Sequence, residues 1–352
     1  MTQPTEIEIP KTQQKWTTTS NKLHLDQYSP LPFSASSLPS TSLLIRISYA
    51  ALNPVDLFIL NQIPSWLPWR RNPIPCFDFS GTIVSVGSSV PSQFSVGVRV
   101  AGALGIKQIW FGKGTLVEYL EVGYEMVCGL PEGMGMREGV GGFGIAGQTA
   151  VEMVGRAGDI RGRRVLVYGA SGGVGGFLTQ VCVGLGAERV WGICSGGNRR
   201  LVEGFGAEVI DYTQHKYIEE HLAQKFANDK LDIVFECAEN HNTLFSKAEG
   251  FLKKDGKFIS VVGGWSQGVV PFVMNKLTPV VFGGVSRNYE IFLLSASGKI
   301  ANKVKECVER GVIKEFPVDS EFEMGEVVKA FERLATGRAR GKVIARIGGE
   351  EL

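Results

Sequence analysis

The chain has 352 residues, room for two domains at roughly 150 residues each. Apolar residues make up 44% and charged residues 20%, the balance of an ordinary globular protein. With 37 basic and 35 acidic side chains the formal charge is only +2, which argues against a nucleic-acid or anionic-membrane partner, and no run of about 18 apolar residues could cross a bilayer.

The start of the chain, through about residue 22, is polar and is expected to be weakly ordered. Glu6 and Glu8 and the lack of an apolar stretch exclude a secretory leader, so a cytoplasmic location is expected. The six cysteines (76, 128, 182, 194, 237 and 307) contain no Cys-x-x-Cys pair, so neither a disulfide frame nor a zinc cage is expected. Next comes a Pro/Ser-rich surface connection, Tyr28–Ser42, and then short strands at Leu43–Ala50, Thr82–Val86, Gly97–Ala101, Leu116–Val122 and Glu125–Val127. Asp78–Gly81 reads as a turn and Gly133–Glu138 as a loop. This first third reads as a small β-rich barrel or sandwich.

Near residue 145 the pattern changes. Strands at Val165–Tyr168, Val190–Cys194, Glu208–Asp211, Leu231–Cys237 and Lys257–Val262 alternate with helices at Gly175–Gly186, Arg199–Phe205, His215–Ala227 and Asn242–Leu252. That rhythm predicts an α/β fold with a Rossmann-type, doubly wound parallel sheet, ending with Pro279–Gly283. Two amphipathic helices, Lys299–Arg310 and Met324–Thr336, and a strand, Lys342–Ile347, then read as a return to the first module.

Val165–Gly175 packs a strand, a tight turn and a helix start into eleven residues. Ala170-x-Gly172-x-x-Gly175 is the dinucleotide fingerprint with alanine in place of its first glycine. Small residues allow the sharp turn and let the backbone approach a pyrophosphate, whose charge then meets the N–H groups at the helix start. Ser171, Gly172, Gly173, Val174 and Gly175 are therefore candidate cofactor-binding residues. Gly142-Phe-Gly144-Ile-Ala-Gly147 matches the same spacing, but without a preceding strand it is read as a decoy.

An NAD site places an acid about 20 residues past the glycines, on the ribose 2′-hydroxyl. Here that position falls on Ser195, within Cys194-Ser-Gly-Gly-Asn-Arg-Arg200. No acid is present, and Asn198, Arg199 and Arg200 are close enough to meet a 2′-phosphate, so NADPH is favoured over NADH.

With these residues in hand, the chain resembles the zinc-independent, quinone-oxidoreductase-like and enoyl-reductase-like branch of the medium-chain dehydrogenase/reductase superfamily. The landmarks are Ala51-Leu-Asn-Pro-Val-Asp56, Phe77-Asp-Phe-Ser-Gly81, Val96-Gly-Val-Arg-Val100, Gly114-Thr-Leu-Val-Glu-Tyr119, the fingerprint, Gly206-Ala-Glu-Val-Ile-Asp-Tyr212 and Gly341-Lys-Val-Ile. The resemblance implies a GroES-like substrate domain from residues 1–144 and 287–352 around a Rossmann domain from 145–286. It implies a small-molecule substrate, hydride transfer to an enone, enal or quinone, and a homodimer formed through an edge near Val280–Gly283. It places Asn53 beside the nicotinamide ribose, with Asp56 as its catalytic neighbour, Tyr212 near the adenosine, and Val262, Gly263 and Gly264 under the nicotinamide.

No metal is implied: the positions of the family's zinc-binding Cys and Gly-His-Glu hold Asn53–Asp56 and Cys76-Phe77-Asp78. Phe58 stands where some members carry a tyrosine, which leaves solvent water as the proton source. The glycine-laden stretch Gly129–Gly147, where the family has an alanine-rich helix start, is expected to be a mobile loop beside the cleft. Two rivals stay open: a biosynthetic member acting on a large scaffold, with Trp66, Trp69, Trp110 and Phe111 as candidate cleft aromatics, and an NADPH-binding protein without redox turnover.

Overall fold

The computed structural model describes residues 9–32, 37–238, 243–261 and 285–348. It begins with an antiparallel hairpin of β1 (Thr12–Thr19) and β2 (Lys22–Pro30). Ser20 and Asn21 both take positive φ, 49° and 60°, as a two-residue turn matched to the twist of its strands requires. The expectation of a weakly ordered start does not hold over this stretch, because Trp16 is buried and donates its indole N–H to Met324 O at 2.8 Å.

The first module is an antiparallel sheet of β3 (Ser42–Leu52), β4 (Asp78–Val86), β5 (Arg99–Ala103), β6 (Tyr119–Gly123) and β7 (Val127–Gly129). Asp78–Gly81 is the start of β4 rather than a turn. Gly81 lets β3 come close, since a methyl group there would sit 2.2 Å from Arg46 O. Helix α1 (Pro54–Gln62) follows β3 directly, with proline at its first position, where no amide hydrogen is needed. Helix α2 (Ile106–Trp110) follows β5.

Helices α3 (Met136–Phe143) and α4 (Ile145–Ala157) lead into the parallel sheet, so the expected loop at Gly133–Glu138 is already helical from Met136. The sheet contains β8 (Arg164–Tyr168), β9 (Arg189–Cys194), β10 (Glu208–Asp211), β11 (Leu231–Glu236), β12 (Leu252–Ser260) and β13 (Asn288–Ile291). All are parallel, in the order β10-β9-β8-β11-β12-β13. The strand order reverses between β8 and β11, the crevice where such sheets hold ligands. Helix α5 (Gly173–Gly184) follows β8 and packs on α4. Helices α6 (Arg199–Gly204) and α7 (Ile218–Lys225) follow β9 and β10. The long helix expected at Asn242–Leu252 is two short ones, α8 (Thr243–Ser246) and α9 (Ala248–Phe251), with Leu252 already in β12. The expected last strand, Pro279–Gly283, lies outside the described residues. β13 carries the sheet past residue 286 with only four residues, Asn288–Ile291.

The chain then runs through α10 (Gly298–Glu309), which packs on α4, into β14 (Val318–Glu323), α11 (Val327–Ala335) and β15 (Lys342–Arg346). β15 pairs antiparallel with β3, Val343 opposite Leu52, and β14 pairs parallel with β15. Val327, Ala330, Phe331 and Leu334, at helical spacing, are buried in the core of the first module. Separate apolar cores cover the two faces of the parallel sheet, one under α4, α5 and α10 and one under α7, α8 and α9.

Candidate cofactor-binding and active site

The turn after β8 is built as its small residues require. Gly169 has φ +85°, and the N–H groups of Gly169 and Ala170 both donate to Ile193 O at 3.1 Å, tying the turn to β9. A methyl group on Gly175 would sit 2.1 Å from Gly169 O, so only glycine fits there. On Gly172 it would meet nothing nearer than Gly169 O at 3.4 Å among the described residues, which leaves its Cβ side of the turn open. The first N–H groups of α5 have no intrahelical acceptor and face that space. Ser171, Gly172, Gly173, Val174 and Gly175 are thus brought together at one helix start.

The loop after β9 lies alongside. Asn198 Nδ2 donates to Ser171 Oγ at 3.0 Å, while Asn198 Oδ1 is buried with no partner among the described residues. Arg199 pairs with Glu203 at 3.2 Å, both about half exposed, and Arg200 is exposed. Register brings one acid close that sequence spacing did not indicate: Asp211, opposite Cys194. Asp211 accepts from Thr213 Oγ1 at 2.7 Å, Thr213 N at 3.0 Å and Gln214 Nε2 at 3.3 Å, and the Thr213 hydroxyl is the main reason its carboxyl is held low. Tyr212 presents an exposed ring next to it. An open glycine cradle, a free helix start, an orphaned carbonyl and the exposed Arg200 fit a phosphate-bearing nucleotide.

The residues that sequence reasoning missed come from the returning tail. Gly341 N donates to Ser171 O at 3.0 Å, and Gly341 forms an isolated parallel bridge with Gly172. The arm of Lys342 lies against Gly173, where a methyl group would be 3.2 Å from its Cδ. Its ammonium donates to Asn53 Oδ1 at 2.6 Å, Asp78 Oδ2 at 2.9 Å and Leu52 O at 3.1 Å. Asn53 Nδ2 donates to the same Asp78 oxygen at 2.9 Å, and Asp78 Oδ1 accepts from Ile145 N, the first residue of α4, at 2.8 Å. A buried hub of Lys342, Asp78 and Asn53 therefore joins β15, β4, α1 and α4. The Gly341-Lys motif was the signal that could have found it.

Asp56, at the third position of α1, accepts from Asn53 N at 2.7 Å. Burial, with Asp78 adding to it, pushes its carboxyl up to about 8 against the opposing pull of the Asn53 N–H and Lys342. It shares the wall of a small pocket with Thr18, Ile59, Arg70, Cys76 and Ile109. Cys76 is buried at φ +73°, and burial raises its thiol. The described residues include no group of three or more His, Cys, Asp or Glu arranged to hold a metal. Val262, Gly263 and Gly264 lie outside the described residues.

The decoy glycines serve packing. A methyl group on Gly144 would lie 2.3 Å from Asp78 Cγ, one on Gly142 2.5 Å from the Phe316 ring, and one on Gly147 1.8 Å from Gly142 O. The segment expected to be a mobile loop is instead α3 and the start of α4, and most of α3 is buried.

Comparison with known proteins agrees with this architecture. The family profile of the alcohol dehydrogenase GroES-like domain matches residues 39–148, and that of zinc-binding dehydrogenases matches residues 205–344. The chain is 31% identical over 336 residues to the medium chain reductase pydE of Acremonium sp, covering 88% of this chain and 90% of that protein. It is 29% identical over 370 residues to the trans-enoyl reductase poxH of Penicillium oxalicum, covering 94% and 95%. The structure of the quinone oxidoreductase from Coxiella burnetii superposes with a TM-score of 0.78 at 21% identity, covering 96% of this chain and all of the other, a likeness of fold. Two modules joined by a returning strand, a glycine-rich turn between them, and relatives of this identity over nearly the whole length lead to one conclusion: the chain belongs to the medium-chain dehydrogenase/reductase superfamily, and an enoyl reductase is among its relatives there.

Proposed function

We propose that this protein is an NADPH-dependent reductase that transfers hydride to an activated double bond of an enone or enal, or to a quinone, without a metal. The observation that carries the reading is the junction itself. The turn at Gly172, where a methyl group would meet nothing nearer than Gly169 O at 3.4 Å among the described residues, stands between the arginine-bearing loop after β9 and the Asn53–Asp78–Lys342 hub, which Lys342 reaches by lying along Gly173. NADPH, when bound, supplies the hydride. Gly172, Gly173 and the start of α5 would hold its pyrophosphate, Arg199 and Arg200 its 2′-phosphate, and Tyr212 its adenosine. Asn53 cannot swing, because Lys342 and Asp78 hold both ends of its amide, so it offers a fixed edge to the nicotinamide side. Burial pushes Asp56 toward its neutral form, and Lys342 pairs with Asp78 at 2.9 Å in the hub. Phe58 offers no phenol, so solvent water protonates the product carbon.

The experiment is NADPH oxidation followed by absorbance with a panel of enones, enals and quinones. Turnover with at least one acceptor is expected; tight NADPH binding with no turnover would overturn the reductase reading. Replacing Arg199 and Arg200 by alanine is expected to weaken NADPH about tenfold or more while sparing NADH. Equal losses would remove the arginines from the phosphate site.

A second reading, a large-scaffold substrate, is favoured by the aromatic side chains left in solvent. Trp66 is 76% exposed, and Trp69, Trp110 and Phe111 are also exposed. The buried Arg70 ties their two segments together through Ile109 O and Trp110 O. Faster turnover with long or polycyclic enones than with small ones would support this reading.

A further inference from the structure

We infer that Arg340, carried by the returning tail, is a ligand of the cofactor's 2′-phosphate and a determinant of NADPH over NADH; the inference rests on the cofactor reading above. Arg340 lies far from the loop after β9 in sequence, yet its guanidinium sits over that loop. A methyl group built on Gly197 would be 3.6 Å from Arg340 Nη2. Among the described residues this guanidinium has no hydrogen-bond or ion-pair partner. Arg199, by contrast, already shares its charge with Glu203.

The backbone that delivers Arg340 is firmly held. Arg340 N donates to Asp319 Oδ1 at 2.8 Å, and Asp319 also accepts from Arg333 Nη2 at 2.6 Å and Nε at 2.8 Å. Arg333 Nη2 reaches on to Arg338 O at 3.1 Å. One residue further, Gly341 is stapled to Ser171 and Gly172, and the next residue, Lys342, enters the hub. Three consecutive tail residues thus run along the proposed nucleotide groove, from the ribose end at Gly197 past the pyrophosphate turn to Asn53. A free, planar, permanently charged fork on a fixed backbone suits a phosphate dianion and gains little from a ribose hydroxyl. The phosphate would then be gripped from both modules, by Arg200 and by Arg340.

The test uses the full-length protein and two probes, adenosine 2′,5′-bisphosphate and ADP, with affinities read by titration calorimetry. Arg340→Ala is expected to weaken the bisphosphate about tenfold or more and ADP less than about twofold. Arg340→Lys should fall between, and Arg338→Ala, which removes a neighbouring exposed arginine, should match wild type. Equal weakening of both probes, or no weakening, overturns the role of Arg340 while leaving the NADPH reading in place. If wild type itself binds the bisphosphate no more tightly than ADP, the NADPH reading fails, and the inference fails with it.

Discussion

Lys342 carries a full charge at 3% side-chain exposure against an Asp78 that is fully buried. Such a pair is tolerated only because every donor is used, and removing one partner strands the other. Lys342→Met is therefore expected to cost about 3–5 kcal/mol in denaturant unfolding, and Lys342→Met with Asp78→Asn should recover much of that loss. Asp56 gives a pH signature. Its carboxyl has an ordinary value of 3.8 and is raised to about 8 in the folded chain by burial. Between these values the unfolded chain has lost a proton that the folded chain keeps, so this residue makes stability fall as pH rises from about 4 to about 8. Asp56→Asn should remove that slope, with its stability relative to wild type growing from pH 5 to pH 8; a constant difference across that range would show Asp56 ionised in the fold. Asn53 and Asp56 were visible from their own motif. Their partners were not: Lys342 reaches Asp78 across 264 positions, and neither residue type announces such a pairing.

Two glycine-rich helix starts match one spacing and do different work. At Gly172 a methyl group meets, among the described residues, only Gly169 O at 3.4 Å, and φ is −82°, so Gly172→Ala should shift stability by less than about 0.5 kcal/mol. It should still weaken NADPH about tenfold or more, because it fills the space the pyrophosphate needs. At Gly147 a methyl group would collide with the backbone of Gly142, so Gly147→Ala should cost about 1–3 kcal/mol, without a selective effect on cofactor. Thermal unfolding and cofactor titration on both variants separate the two cases. A preceding strand was enough to tell the turn from the decoy. The helix over Met136–Phe143 was not legible, because the three glycines within it and Gly135 and Gly144 at its ends disguise a packing requirement as flexibility. β13 was missed for the opposite reason: its four residues join the sheet through backbone pairing with β12.

At the scale of the molecule, the tail is part of the first module although it follows the whole parallel sheet in sequence. A chain ending at residue 311 would leave β3 without β15, strip Val327, Ala330, Phe331 and Leu334 from the core, and leave the Trp16 indole without Met324 O. Limited proteolysis of that truncation is expected to cut the first module rapidly while β8 to β12 stay protected. Uniform resistance would show that the module closes without its tail. Turn mechanics and strand–helix rhythm are local properties, set by neighbours within a few residues, so the order of residues alone was enough to settle the parallel sheet, the glycine-rich turn after β8 and the family resemblance. The hub at Lys342, the approach of Arg340 to Gly197 and the burial that keeps Asp56 protonated depend on chain segments brought together from opposite ends of the sequence. Long-range strand pairing and desolvation decide those contacts, and neither leaves a periodic trace along the chain.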